Sequence, residues 1–277
     1  MDIDDILASV DRNDVSTPES TQLDHQLLTR FWVAERGVSE LLPWPEALMN
    51  RMMERVRKQI ETIEDLASSS SDPTITTTTT TNNNNSNSNN PTLNLKLSIL
   101  QTDLSRTQYL LRSILRQRLS KLTKHSMHYL LRISSASSQQ QQQTPADSQT
   151  NDQQPEDSIP DLTAVHDPSP LSTQELDFLR AHQTLLAGHF GASFLSSFPA
   201  QLRRLDDNAG GVSMVQGPDA REVVFVRCLV EKVGVVVPPG DGVEVETVGE
   251  EMRMGDVWVV RWEGVREAWE RGEVEVL

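Results

Sequence analysis

The stretch from Leu93 to Ile133 constrains the fold of this chain more than any other feature of its sequence. It holds 41 residues without proline or glycine, and leucine or isoleucine keeps returning after three or four positions. This spacing is typical of a single helix with one buried face. Such a helix would extend about 60 Å, so we expect it to need partners along its length. The apolar positions are Leu93, Leu97, Leu100, Leu104, Leu111, Leu115, Leu119, Leu122, Leu130 and Ile133.

The charges on this stretch are one-sided. Eight lysine and arginine residues stand against one acid, Asp103, which makes a net charge of +7 in a chain whose total is −15. Three interpretations stay open: a solvated or acid-paired face, a surface for an acidic protein, or a contact for DNA or RNA. Only Tyr109 and Tyr129 offer rings that could stack on bases. A nucleic-acid contact would use Arg106, Arg112, Arg116 and Lys124.

Two shorter helices are predicted before the long one. Thr17 and Pro18 are typical of a helix cap and first turn, and Gly37 is typical of a helix end. Pro43 and Pro45 precede the second helix. With the long helix, these two make a bundle. Their apolar faces consist of Leu23, Leu27, Leu28, Phe31 and Trp32 in the first helix and Leu48, Met49, Met52, Val56, Ile60 and Ile63 in the second.

One later helix has a well-defined start. Ser172 and Glu175 have the spacing of a capping box, and Leu171 and Leu176 are placed to form a hydrophobic staple across it. Two low-complexity stretches flank the long helix. They are rich in Ser, Thr and Asn at 68–92 and in Gln and Pro at 134–170, and we expect both to be disordered insertions.

The pattern changes after Asn208. Short runs of β-branched residues alternate with turn signals such as Pro238-Pro239-Gly240, which predicts a small β-rich module of marginal size that leans on the helical part or on a partner. A helical turn is expected near Val265 to Trp269. The predicted strands are Val223 to Val230, Val233 to Val237, Val243 to Val248, Val257 to Trp262 and Glu273 to Val276.

These elements predict a mainly α fold: an N-terminal helical bundle domain with one long helix, plus a small C-terminal β-rich domain. We place the domain boundaries at 1–15 for an acidic peptide, 16–206 for the helical domain with its two insertions, and 207–277 for the β-rich domain.

No residues combine into a recognisable catalytic site, so we predict a protein that is not an enzyme and uses no cofactor. His125 and His128 are three positions apart, but no further ligand has the spacing of a metal site. Cys228 is the only cysteine and is expected in the core. The absence of a signal peptide or membrane span favours the reducing nucleus or cytosol.

The first residues combine acidic and apolar side chains. Ile3, Ile6, Leu7 and Val10 would share one face of a short helix, with several aspartates around them. The segment is too short to be a stable helix alone. It is either a frayed terminus or a docking peptide that folds on a partner.

Several of these motifs together resemble the Sld-five family of GINS replication-complex subunits. The match covers both ordered parts in the same order, and the arginine-bearing long helix is its most specific piece. The motifs are Asp4-Asp5-Ile6-Leu7, Leu41-Leu42-Pro43, Tyr109-Leu110-Leu111-Arg112-Ser113 with Arg116 and Arg118, Leu171-Ser172 with Glu175, Gly255-Asp256, and Gly272 to Leu277.

The resemblance implies a nuclear, non-catalytic scaffold subunit. It would form a heterotetramer with three paralogous subunits, and this complex would join the MCM ring and a RecJ-like factor in the replicative helicase. The β-rich domain would dock on a neighbouring subunit. The long helix would form the subunit interface through Leu104, Leu111, Arg112, Leu115, Arg116, Arg118 and Leu119. A trimeric adaptor of the Ctf-four type would bind the N-terminal peptide through Ile3, Asp4, Asp5, Ile6 and Leu7. The alternative is a direct nucleic-acid-binding module that uses the basic face of the long helix.

Overall fold

The computed structural model describes residues 18–71, 91–138, 170–199, 203, 205, 215–237 and 248–277. The predicted docking peptide at 1–15 and most of both predicted insertions lie outside these residues. The described part is mostly helical with a small antiparallel β part, which confirms the predicted fold class. None of the described helices is long and apolar enough to cross a membrane.

Six α-helices run through the described residues. The first three and the helix after Ser172 lie where the sequence predicts them. They are α1 (Pro18–Gly37), α2 (Glu46–Ser71), α3 (Pro91–Lys124), α4 (Ser126–Ser138), α5 (Thr173–Ser193) and α6 (Trp262–Glu270), and a 3₁₀ turn spans Leu195–Ser197.

The prediction of one uninterrupted helix from Leu93 to Ile133 is wrong at a single residue. α3 ends at Lys124 and α4 begins at Ser126, with His125 between them in a turn. Helix-like hydrogen bonds nevertheless continue across the break, from the His125 N–H to the Lys121 carbonyl and from the Tyr129 N–H to the His125 carbonyl. The spacing of apolar residues passes through the break unchanged, so the sequence pattern carries no signal for it.

The β part consists of two small antiparallel sheets. One has the strand order β4-β1-β5, with Phe225 opposite Val259 and Val226 opposite Val276, and the other pairs β2 with β3. Burial alternates along β1, where Val224 and Val226 point into the core. The strands are β1 (Val223–Cys228), β2 (Lys232–Val237), β3 (Val248–Arg253), β4 (Val257–Arg261) and β5 (Val274–Val276).

One predicted strand is displaced. The sequence favours Val243 to Val248, but β3 spans Val248–Arg253, and 243–247 lie outside the described residues. β3 carries Glu250 and Glu251 on its exposed positions and buries Met252, so it lacks the β-branched run by which strands are recognised.

The described residues form two compact units. The first comprises the described parts of Met1–Trp32 and Pro45–Ile114, and the second comprises those of Val33–Trp44 and Leu115–Leu277. The predicted domain boundary at 206/207 falls where the described residues are interrupted, so it stays a prediction.

Within the first unit, polar contacts join three helices. Asp24 of α1 is buried and held by two arginines of α2: Arg51 donates from Nε and Nη2 at 3.1 and 2.9 Å, and Arg55 Nη1 lies 2.9 Å away. Trp32 Nε1 donates to Ser113 Oγ of α3 at 2.8 Å. The buried apolar side chains of this unit include Leu28, Phe31, Met52, Val56, Leu111 and Ile114.

Within the second unit, α5 begins as predicted. Ser172 Oγ accepts from the Glu175 N–H at 3.2 Å, and a Glu175 carboxylate oxygen accepts from the Ser172 N–H at 3.0 Å. Both staple residues belong to the helical core, Leu171 as a buried member and Leu176 packed against it. The other buried members are Leu41, Leu122, Tyr129, Leu130, Ile133 and Leu179.

Tyr129 should titrate far from the ordinary range of a phenol. Burial, reinforced by Glu40 and Glu35, raises its pKa from 10.0 to about 12, although the Leu41 N–H that donates to its oxygen at 2.9 Å opposes the shift. Because the folded-state pKa is the higher one, the stability contributed by the neutral phenol should be lost as pH rises from 10 towards 12.

The sequence has two tyrosines, so a Tyr109→Phe variant isolates Tyr129. Ultraviolet absorbance titration of the folded variant should give a midpoint near pH 12, and the same titration in denaturant should give about 10. A midpoint near 10 while circular dichroism still reports folded protein would contradict this assignment.

Candidate functional site

The two sides of α3 have different environments. One row of side chains faces the chain's own core, and the other is exposed. The buried row consists of Thr107, Leu111, Ile114, Arg118, Lys121 and Leu122. The exposed row includes Tyr109, Arg112, Leu115, Arg116, Leu119 and Lys124. Both rows follow the three-to-four spacing of a helix.

The predicted interface residues divide between these two sides. Arg112, Leu115, Arg116 and Leu119 are exposed, and Leu104 is half-buried. Leu115 is 46% exposed and Leu119 44% exposed, so these two leucines, one helical turn apart, leave adjacent apolar surface in water. Their role as partner contacts stays a prediction.

Leu111 and Arg118 are the two predicted interface residues that lie inside the fold. Leu111 is 6% exposed and Arg118 is fully buried, and their role as partner contacts stays a prediction. Leucine spacing alone does not reveal which row turns inward, because α3 has leucines on both sides. The buried row contains Ile114 but also Thr107, Arg118 and Lys121, so its amino-acid pattern does not identify it as the inward side.

Arg118 is the centre of a buried charge network. Its Nε and Nη2 donate to the two carboxylate oxygens of Glu175 at 2.6 and 2.9 Å, a bidentate pair. Its Nη1 donates to Glu35 Oε2 at 3.2 Å and to the Leu42 carbonyl at 2.7 Å. Its guanidinium carbon lies 5.1 Å from the centre of the Trp44 ring. Every side of this cation is therefore occupied by the chain itself.

Lys121 extends the network. Its Nζ donates to Glu35 Oε1 at 2.7 Å and to the Glu40 carbonyl at 2.9 Å. Burial raises the pKa of Glu35, and the charges of Lys121 and Arg118 only partly offset that rise. Burial also lowers the pKa of Lys121, against the attraction of Glu35. Two cations, Arg118 and Lys121, face two carboxylates, Glu35 and Glu175, so the network is balanced in formal charge.

Glu40 forms a second node in the same unit. Its Oε2 accepts from Trp262 Nε1 of α6 at 3.0 Å. Its Oε1 lies 3.1 Å from Arg132 Nη1 of α4 and 3.1 Å from Arg266 Nη1 of α6. One carboxylate thus joins the loop after α1 to both a core helix and the β part.

The connection between the helical and β parts is reinforced at nearby points. Ser39 Oγ donates to the Asp219 carbonyl at 2.7 Å, and His125 Nδ1 lies 3.0 Å from the Gln216 carbonyl. A Cβ on Gly217 would come within 2.9 Å of the His128 ring, so any larger residue at this position would displace that ring. His125 and His128 therefore both lie against the segment that contains Gln216 and Gly217.

Sequence reasoning missed Glu35 and Glu40. A signal for Glu35 exists: it follows Leu28 and Phe31 at helical spacing on the apolar face of α1, where a charge is costly unless it is paired. Glu40 lies in a short loop and carries no comparable signal, because its partners are far away along the chain.

Comparison with known proteins places these features in a family. Residues 62–194 match the family model described as the GINS complex protein helical bundle domain, and residues 218–277 match the model of the DNA replication complex GINS protein SLD5 C-terminus. DNA replication complex GINS protein SLD5 of Chaetomium globosum is 33% identical over 278 residues, covering 100% of both chains. The SLD5 protein of Yarrowia lipolytica is 30% identical over 99% of this chain and 84% of its own. That of Schizosaccharomyces pombe is 27% identical over 80% and 79%.

Proposed function

The chain belongs to the SLD5 family of DNA replication complex GINS proteins, and from this membership we propose that it is a non-catalytic scaffold subunit of a heterotetramer. Its three partners are paralogous GINS subunits, and the assembled complex acts in the nucleus as part of the replicative helicase. The observation that carries this proposal is the 33% identity to a GINS SLD5 protein over the whole of both chains.

The exposed side of α3 supports an assembly role. Leu115 and Leu119 leave apolar surface in water on a helix whose other side is buried between Thr107 and Leu122, and burying this surface on a partner is favourable. Together with Arg112 and Arg116 they form the part of the predicted interface that the fold leaves accessible. Leu104 lies half-buried at its edge.

The proposal also includes wider partners, and family membership supports them. Within the helicase the complex contacts the MCM ring and a RecJ-like factor, and a trimeric adaptor of the Ctf-four type binds the N-terminal peptide. Ile3, Ile6 and Leu7 supply the apolar contacts of that peptide, and Asp4 and Asp5 supply its charge. Three weak sites on one adaptor hold several clients by avidity.

Co-expression with the three paralogous subunits tests the assembly proposal. Native mass spectrometry of the purified material should show one heterotetramer containing one copy of each subunit. If the chain purifies as a stable monomer in the presence of all three paralogues, the assembly role is ruled out.

The same complex tests the adaptor contact. A chain carrying Ile6→Ala and Leu7→Ala should assemble normally but lose binding to the trimeric adaptor, because the apolar face of the peptide is gone. A matched control replaces Ser9 and Ser16, which are not part of the predicted contact, with alanine. Undiminished adaptor binding by the Ile6 and Leu7 variant would disprove the contact assignment.

One observation favours the second candidate, direct nucleic-acid binding. Arg106, Arg112, Arg116 and Lys124 are all exposed, and none forms an ion pair with another described residue. Steeply salt-dependent DNA binding by the isolated chain would support this candidate. If the isolated chain does not bind DNA even at low salt, this candidate is excluded.

A further inference from the structure

The exposed surface near the end of α3 has its own composition. It consists of Leu115, Arg116, Leu119 and Lys124, which we call the outer stripe. All four side chains are exposed. Leu115 and Leu119 are one turn apart, and Arg116 and Lys124 are two turns apart on the adjoining row, so apolar and basic groups run side by side along the helix.

The basic side chains of this part of α3 lie in two different environments. On the buried side, Arg118 and Lys121 are each neutralised by carboxylates of the same chain, at distances of 2.6 to 3.2 Å. On the outer stripe, Arg116 and Lys124 have no carboxylate partner among the described residues. Within the part of the chain that the structure describes, the outer stripe therefore presents positive charge without a carboxylate partner directly beside exposed leucine.

We infer that the outer stripe binds an acidic amphipathic helix of a partner protein. This inference rests on the proposed function and specifies the chemistry of one subunit contact. The partner helix carries aliphatic side chains one turn apart that cover Leu115 and Leu119, and aspartate or glutamate beside them that faces Arg116 and Lys124.

The apolar component distinguishes this partner from nucleic acid. A phosphate backbone is bound by basic and hydrogen-bonding side chains and would leave both leucines in water. Leucine at a spacing of four residues suits the ridges and grooves of a second helix. The observed combination of charge and apolar surface therefore favours a protein helix.

The test uses the full chain assembled with its three paralogous subunits. Arg116→Glu should weaken association by about tenfold, because it replaces attraction by repulsion, and high salt should reduce this loss. Arg57→Glu is the matched control, since Arg57 is an exposed helical arginine 75% accessible at its side chain, and it should leave association unchanged. Leu115→Ala with Leu119→Ala should weaken association by about thirtyfold or more, while circular dichroism should show that the chain remains folded.

A chemical readout identifies the partner groups. Carbodiimide cross-linking of the wild-type complex should join Lys124 Nζ to a partner carboxylate, and Lys124→Gln should remove that cross-link. The inference is overturned if the Arg116→Glu chain assembles as well as wild type. If the same variant also loses binding to a duplex DNA probe, the outer stripe is assigned to nucleic acid. Failure of the wild-type chain to assemble would instead refute the proposed function itself.

Discussion

Replacing Arg118 with alanine should lower the free energy of unfolding by about 3–5 kcal/mol. The substitution removes the bidentate partner of Glu175 and one of the two cations that hold Glu35, whose side chain is 0% exposed. Glu175 then loses its bidentate cation and Glu35 keeps only Lys121, and a buried carboxylate that loses compensating charge costs far more than the original pair contributes. The Leu42 carbonyl would also lose its donor.

Chemical denaturation followed by far-ultraviolet circular dichroism measures this loss. Arg116→Ala is the matched control, because Arg116 is an exposed arginine on the same helix, and it should change stability by no more than about 0.5 kcal/mol. A cost below about 1 kcal/mol for Arg118→Ala would show that the buried network does not hold these elements together.

Replacing Trp262 with alanine should cost about 3–5 kcal/mol. Trp262 is 1% exposed and packs edge-to-face on Trp269 with ring centroids 5.8 Å apart, so its removal leaves a large cavity. The same substitution deletes the N–H that donates to Glu40 at 3.0 Å. Both the packing of the β part and its attachment to the helical part are therefore weakened.

Two further variants separate these contributions. Trp262→Phe keeps an aromatic ring but removes the hydrogen bond to a charged acceptor, and it should cost about 1.5–3 kcal/mol. In a Glu40→Gln background the same change should cost less, because the acceptor is no longer charged, and a double-mutant cycle gives the coupling. Equal costs in both backgrounds would mean that Glu40 does not anchor Trp262. The rate of limited proteolysis between the helical and β parts, compared between wild type and variants, independently measures how firmly the β part is attached.

The elements that sequence reasoning predicted well are those whose determinants are close together in the chain. The capping box at Ser172 and Glu175 and the start of α1 at Pro18 depend on residues within one turn of a helix. The alternation of β1 depends on neighbours two positions apart. The errors have the same origin, because β3 lacks a β-branched run and the break at His125 leaves the apolar spacing intact.

The candidate site was less predictable. Arg112, Leu115, Arg116 and Leu119 lie on the accessible side of α3, whereas Leu111 and Arg118 are buried. Their spacing is compatible with either side, and only the packing of the other helices decides between them. Sequence resemblance to the GINS family suggested a role for Arg118 at a subunit surface, but its carboxylate partners are supplied by its own chain.

The amino-acid sequence by itself determined most of the helices and strands of the described residues, the start of α5 and the family, because propensity, capping and motif spacing act over a few residues. Only the tertiary structure decided which charges are internal. Glu35 and Arg118 are 83 residues apart, and Glu40 and Trp262 are 222 residues apart. Whether an arginine becomes part of the core or part of a surface depends on which carboxylate the fold brings to it, and that distant pairing has no local signature.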